Sequence, residues 1–399
     1  MNMSTEIAEQ KVGQWISKLL EEEHFREFRI EIENNENLGG HLSNIICAKI
    51  VGITSDNETK EVSIVAKYNG QNSVKFLTVG FEREIFIYEK LFPLFKKFQH
   101  DTNALELLNS FPKCYQALAS EDQSIIVLEN LTKNGYQLYN RMKPMDLDHQ
   151  RFVIKEYAKL HAVSFAMRDQ NCDEFQKLSS KLPNVAKLYF QEDSTKKTMM
   201  KYSRYARDIL IRKNEVKLLE KIESILETGL TEIILNNVLN AKDKYFVLTH
   251  GDSWNNNFMF KYKPNETKPT KLAIIDWQLA SMHSPILDLS LFIYTVSSQE
   301  ELSHFEELIT YYYSALTDFL RELGSDAEKL FPFSVLKEHW YKYAIFPMIW
   351  IMTFLRIILE EDSDGRDKED MFDISFNEEE YEKRMIAVLK HYFCFKFTK

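Results

Sequence analysis

Asp252 and Asn257 lie five positions apart in the segment LTHGDSWNNNFMF, and Asp276 follows nineteen residues later, after the apolar run LAII. Hydrophobic residues flank all three, so they belong at strand ends rather than in a solvated loop. Two carboxylates and an amide delivered by consecutive strand ends and a hairpin can converge in space. Oxygen ligands of that type suit Mg2+, which prefers one or two carboxylates plus phosphate and water. Phosphoryl transfer requires such a set: a carboxylate orients or deprotonates the attacking hydroxyl, and metal ligands hold the phosphates. An Asx-rich turn is the plain alternative for SWNNN. It leaves the spacing to Asp276 and the residues upstream to coincidence.

Upstream, Lys67 ends SIVAK, where a strand can aim its ammonium at phosphate oxygens, and Glu84 in the next segment can fix that ammonium by an ion pair. Read singly, Lys67 is a surface lysine at a strand end. Glu84 shares its segment with Glu82 and Glu89, which can equally form a solvated face. Gly39 and Gly40 precede the first strand; their backbone can approach phosphates closely, or simply turn. Glu129, Asn130 and Leu131 of LENL can offer main-chain hydrogen bonds to a purine. His250 reads as a residue that orients its loop. Asp288 reads as a helix cap or internal acceptor, and His161 as a core histidine bonded to a carbonyl.

These residues need elements to carry them. IICAKIVGI (45–53) and EVSIVAKY (61–68) are rich in β-branched residues and read as strands. FEREIFIYEKLFPLF (81–95) places Phe81, Ile85, Tyr88 and Phe92 on one helical face. A short apolar strand follows at 124–131. From Asp146 the pattern turns helical, with Ile154, Tyr157, Ala158, His161 and Phe165 in one stripe and helical composition over 174–240. YFVLTH (245–250) interrupts it as a strand, and FMFKY with KLAIIDW reads as a hairpin around KPNETKPT. Helical patterns then occupy 286–296, 300–323, 335–360 and 377–392, and the acidic stretch 360–370 reads as a solvated loop. The expected fold class is α+β and bilobal, with a small β-rich lobe carrying a helix (1–130) and a large, mainly helical lobe (131–399).

The composition narrows the partners. A chain of 399 residues with 44% hydrophobic content buries a sizeable core, and 11 glycines with 9 prolines favour long helices over a turn-rich all-β fold. The formal charge of −10 argues against nucleic acid. Cys47, Cys114, Cys172 and Cys394 are scattered without metal spacing, which reads as reduced thiols in a cytoplasmic protein. Val12, Trp15, Ile16, Leu19 and Leu20 form the apolar face of an N-terminal amphipathic helix rather than a signal peptide. The apolar run 343–359 is shorter than the roughly 20 residues of a membrane span. Pro347 interrupts it, so a buried, kinked helix is expected and stable membrane insertion is not.

HGDSWNNNFMF, IIDWQLA and SPILDLS together resemble the choline-kinase-like and aminoglycoside-phosphotransferase-like branch of the protein-kinase fold. FEREIFIYEKLFP, FPKCYQA, VLENLTKNGY and AKLHAVSFAM are similar to the ecdysteroid-kinase-like proteins of insects. The resemblance runs from about Gly39 to Ser290. It implies ATP and Mg2+ as cofactors, Asp252 as catalytic base, Asn257 beside it as metal ligand, and Asp276 on the Mg2+ that bridges the phosphates. Lys67 would contact the α and β phosphates, with Glu84 as its partner, and His250 and Asp288 would support the catalytic loop. Two departures stand out. Gly39-Gly40-His41-Leu42-Ser43 is not a full GxGxxG loop, and Asp276 is followed by Trp277-Gln278 rather than Phe-Gly. With no Ala-Pro-Glu triplet either, a small-molecule alcohol is expected as acceptor and a protein is not. The many aromatic residues of the C-terminal helices suit a choline-like cation or a steroid-like alcohol; the resemblance favours an apolar alcohol such as an ecdysteroid. A non-catalytic, pseudokinase-like protein binding a hydrophobic ligand, and a choline- or ethanolamine-type kinase, are the alternatives.

Overall fold

The computed structural model describes residues 5–33, 44–69, 75–119, 124–361 and 374–398. Gly39 and Gly40, and most of the acidic stretch 360–370, lie outside the described residues. Two helices, α1 (Thr5–Trp15) and α2 (Ser17–Glu22), precede β1 (Phe25–Glu33), β2 (Asn44–Thr54) and β3 (Thr59–Asn69). With β4 (Cys114–Leu118) and β5 (Ser124–Glu129) these strands form one antiparallel sheet in the order β1-β2-β3-β5-β4.

The two-residue period of the strands sorts the sheet into two faces. Ile46, Ala66 and Val127 are cross-strand partners on one face. They pack with Val12, Trp15, Ile16 and Leu19, so α1 and α2 cover that face. Ile45, Lys67 and Ile126 pair on the other. There α3 (Lys75–Phe86) brings Phe81 and Ile85 into the same core as Ile126 and Leu128. β1 has no counterpart among the sequence expectations. Its FREFRIEIE carries charges throughout and buries no residue, because it is an edge strand held by main-chain pairing to β2.

The helix expected over 81–95 begins earlier and changes pitch. A π-helical turn at Ile87–Leu91 separates α3 from α4 (Phe92–Asp101). Pro93 has no N–H for the carbonyl four residues back, and the Phe92 N–H bonds Ile87 O, five residues back. Phe81, Ile85, Tyr88 and Phe92 are all buried, as the pattern required.

Beyond the sheet come β6 (Tyr136–Leu138) and the long α5 (Leu147–Gln170), whose N-terminus Asp146 caps by accepting from the His149 N–H. The expected stripe of Ile154, Tyr157, Ala158, His161 and Phe165 is wholly buried. Helices α6 (Cys172–Ser179), α7 (Ala186–Gln191), α8 (Asp193–Arg212), α9 (Val216–Thr228) and α10 (Leu230–Ile233) fill the 174–240 stretch. The chain then returns to strand in β7 (Val247–Thr249), the hairpin β8 (Phe258–Tyr262) and β9 (Pro269–Ile274), and β10 (Ser281–His283). β7 pairs with β10, and β8 lies between β6 and β9.

Among the described residues, the helices that follow are α11 (Pro285–Val296), α12 (Gln299–Leu302), α13 (Phe305–Glu322), α14 (Ala327–Leu330), α15 (Phe333–Tyr343), α16 (Ile345–Ile358) and α17 (Glu378–Cys394). The break between α15 and α16 falls at Ala344, with a bend of 46°. Pro347 cannot donate to the carbonyl of Tyr343 four residues earlier, so the kink sits one turn before the proline. Among the described residues no single helix is long and apolar enough to cross a membrane. α16 is buried along almost its whole length.

Candidate active site

The hairpin and the loop before it are joined by one histidine. His250 Nε2 donates to the carbonyl of Ile275 at 2.9 Å, and its Nδ1 accepts the Asp252 N–H at 3.3 Å. One neutral tautomer satisfies both bonds. Burial accordingly lowers the pKa of the ring. His250 therefore links the backbone of Asp252 to the residue immediately before Asp276. Its ring meets Trp277 edge-on at 4.7 Å, and Trp277 meets Phe92 of α4 in the same way at 4.9 Å.

Asp288 holds the other side of the loop. Its two carboxylate oxygens accept the N–H groups of His250 at 2.7 Å and Gly251 at 2.8 Å, and the Ser253 hydroxyl at 3.2 Å. Burial raises its pKa, but the His161 hydrogen bond and the charges around it win, leaving the carboxyl below its ordinary value. Asp288 is thus an internal acceptor and not the helix cap. Ser284 caps α11 by accepting from the Ile286 N–H. His161 bonds the Tyr312 hydroxyl at 2.9 Å and Asp288 at 3.4 Å, rather than a main-chain carbonyl.

Gly251, which the sequence reading passed over, is demanded by geometry. Its φ is +82°, and a Cβ there would sit 2.6 Å from the main-chain oxygen of Leu279. Asp276 is also left-handed, at φ 65°, which costs a non-glycine residue energy that the surrounding hydrogen bonds must offset. Gln278 Nε2 donates to Asp276 Oδ2 at 3.3 Å.

Across from the hairpin, Lys67 Nζ lies 3.0 and 3.2 Å from the two oxygens of Glu84 and 3.5 Å from Asp276 Oδ1. One ammonium thus joins β3, α3 and the end of β9. Burial disfavours its charge, but Asp276 and Glu84 outweigh that and hold the pKa above an ordinary lysine. Burial pushes the Glu84 carboxyl up against the pull of Lys67. Beside Glu84, the buried Arg83 reaches away from this cluster. It donates to the carbonyls of Ala280 and, at 2.9 Å, Pro183.

Asp252 and Asn257 are brought together by the short 3-10 turn Asn255–Asn257. Asn257 Nδ2 donates to the main-chain oxygen of Asp252 at 2.8 Å and to its Oδ2 at 2.9 Å. That orientation commits the amide nitrogen of Asn257 and leaves its Oδ1 as the acceptor end. Burial pushes the Asp252 carboxyl up to about 7, and the negative charge of Asp276 adds to the shift; hydrogen bonds from Asn257 and the Trp254 side chain oppose it. Two carboxylates that repel one another and an amide oxygen are hard donors, the type that suits a hard cation. Asp276 and Asn257 Oδ1 fit Mg2+, which takes few protein ligands when phosphates supply the rest. Among the described residues no three or more acidic, His or Cys side chains form a metal-holding group by themselves.

The segment expected to meet a purine is partly committed elsewhere. The Glu129 N–H donates to Lys113 O and the Asn130 N–H to Ser63 O, each at 2.9 Å. The Glu129 carboxylate accepts from the Lys113 N–H and the Asn134 amide. Pairing with neighbouring segments uses these groups, and Leu131 supplies the remaining main-chain donor. Elsewhere, Ser284, His339 and Asp243 have the connectivity of a nucleophilic triad, at 2.8 and 3.4 Å. Ser284 is completely buried and its hydroxyl caps a helix, so the arrangement is structural.

No curated protein matches this chain. The family model described as the ecdysteroid kinase-like family matches residues 38–325, well over half of the sequence and all of the residues clustered here. The chain belongs to the ecdysteroid kinase-like family.

Proposed function

We propose that this protein is an ATP- and Mg2+-dependent small-molecule kinase that phosphorylates a hydroxyl of an apolar alcohol such as an ecdysteroid. The observation that carries the reading is the Lys67 ammonium shared between Glu84 and Asp276, whose charge also acts on Asp252. Family membership supports a kinase-like function toward a small molecule.

In this reading the fold is a bilobal, protein-kinase-like one. Residues 1–130 form the nucleotide-binding lobe and 131–399 the lobe with the catalytic loop and acceptor-binding helices. Leu131 donates its N–H to the purine, and Lys67, positioned by Glu84, neutralises phosphate charge. Asn257 Oδ1 and the Asp276 carboxylate would hold Mg2+, which would supply positive charge to offset the phosphates and the repulsion between Asp276 and Asp252.

Asn257 Nδ2 donates to Asp252 Oδ2 and so fixes the orientation of the carboxylate. Asp252 takes the hydroxyl proton as the acceptor oxygen bonds to the γ-phosphorus, and the bond from that phosphorus to the bridging oxygen of ADP breaks. His250 and Asp288 hold the loop in place. A cytoplasmic location, where ATP and reduced thiols coexist, accords with this chemistry.

The test is a thermal shift with Mg·ATP, followed by transfer of labelled γ-phosphate to a panel of alcohols. A Mg2+-dependent shift with transfer to an apolar alcohol supports the proposal. A shift without transfer to any alcohol points to a binding protein, and transfer to choline alone points to the cationic acceptor.

A further inference from the structure

Helix α3 carries Phe76, Gly80 and Arg83 on one face, because residues four and three apart in a helix fall on one stripe. Each of them meets a segment from beyond the five-stranded sheet. Phe76 meets Tyr189 of α7 at 5.5 Å, and a Cβ at Gly80 would lie 3.4 Å from Gln278. Arg83 donates to the carbonyl of Ala280 and, at 2.9 Å, to that of Pro183, in the segment leading into α7. Two separate segments, 183–189 and 277–280, thus lie against the same face of α3.

Arg83 is buried, and burial lowers its pKa only to about 10, so it stays charged at neutral pH. Among the described residues no carboxylate pairs with it, and it spends its donors on two main-chain oxygens. A guanidinium is a rigid fork of donors, so its two terminal nitrogens can hold two segments at once; an ammonium on a flexible stem cannot fix that geometry. Glu84, the next residue, is turned about 100° around the helix axis. It holds Lys67 Nζ of β3 at 3.0 and 3.2 Å, and its carboxylate also accepts from the Trp277 N–H. Adjacent residues therefore pin α3 in two directions, and the helix can neither roll nor slide without breaking one of the anchors. The same two residues brace the turn after Asp276, Glu84 at Trp277 and Arg83 at Ala280.

We infer that Arg83 is a positioning residue: it fixes the roll of α3 and so holds Glu84, and through Glu84 the Lys67 ammonium, where phosphate oxygens are met. This rests on the phosphotransfer reading above and adds a residue that the reading leaves idle. A Lys–Glu pair by itself follows a rolling helix, because both side chains are flexible. The anchors to Ala280 and Pro183 remove that slack, and a displacement of about 1 Å in such a group is enough to cost a large factor in function.

The test is a double-mutant cycle with Lys67→Met, read by titration calorimetry of Mg·ATP on the full-length chain. Arg83→Gln, too short to span both carbonyls, weakens Mg·ATP binding by about tenfold when Lys67 is present and by less than about twofold in the Lys67→Met background. Arg83→Lys, which keeps the charge and one anchor, loses about threefold with Lys67 and is indistinguishable from its parent without it. Melting temperature is measured on every variant, and Arg83→Lys carries the cycle if Arg83→Gln does not fold. A purely structural role lowers affinity by the same factor in both backgrounds, and that outcome overturns the inference. Wild-type affinity in the Arg83 variants overturns it as well. A wild-type chain that does not bind Mg·ATP removes the phosphotransfer reading itself, and the inference falls with it.

Discussion

Asp288→Asn isolates the group that holds the loop carrying Asp252. The carboxylate accepts the His250 and Gly251 N–H groups on separate oxygens at 2.7 and 2.8 Å, with Ser253 and His161 as further donors. An asparagine retains one acceptor oxygen and turns an NH2 toward the other donors. Either flip leaves at least one main-chain N–H without an acceptor beside a side chain that is completely buried. Losing a hydrogen bond to a charged group costs about 1.5–3 kcal/mol, and an orphaned buried donor about 1–3 kcal/mol more. The expected destabilisation is about 3–5 kcal/mol, as for a broken buried ion pair. A domain of ordinary stability survives that loss, so the variant folds with a displaced loop. Urea unfolding reads the stability, and a coupled ADP-release assay reads kcat, which falls by more than about tenfold because the lost bonds lie within two residues of Asp252. A loss of less than about 1 kcal/mol together with near wild-type kcat would refute the reasoning.

Three further outcomes are expected. Asp252→Asn keeps the Mg·ATP thermal shift but loses about 10²–10⁴ in kcat, the usual worth of a positioned base; turnover close to wild type removes Asp252 from that role. Gly251→Ala must accommodate both a positive φ and a Cβ against Leu279 O, so it loses about 2 kcal/mol or more in denaturant unfolding; an unchanged midpoint would show that the loop tolerates a Cβ. His391, stacked on Phe395 at 4.9 Å, has its pKa lowered to about 4 by burial. The unfolded chain therefore binds the proton first, and stability falls as pH drops from about 6.5 toward 4, by about 2 kcal/mol between pH 7 and 5 from this residue. His391→Phe keeps the stack and shows a correspondingly flatter stability profile over that range; identical profiles would exclude His391 as the source.

Local pattern already carried much of this molecule. The β-branched runs at 45–53 and 61–68 became β2 and β3, and the stripe from Ile154 to Phe165 became the buried face of α5. Burial repeats with the period of the element that imposes it, so a single chain records these features. The block from His250 to Asp288 and the Lys67–Glu84 pair were legible for a different reason: residue type and spacing are fixed where chemistry or a tight polar network must be satisfied. The charged β1 escaped because an edge strand is held by main-chain bonds, which leave no apolar signature. The need for Gly251 is set by the carbonyl of Leu279, and the tautomer of His250 by that of Ile275. Lys67 and Asp276 meet although 209 positions separate them, and Arg83 meets carbonyls 100 and 197 positions away. The amino-acid sequence by itself determined the elements and the polar groups available for chemistry. Which of those groups share a hydrogen, a charge or a ring face was decided only when distant segments packed, because such contacts depend on crossing geometry and not on any repeat along the chain.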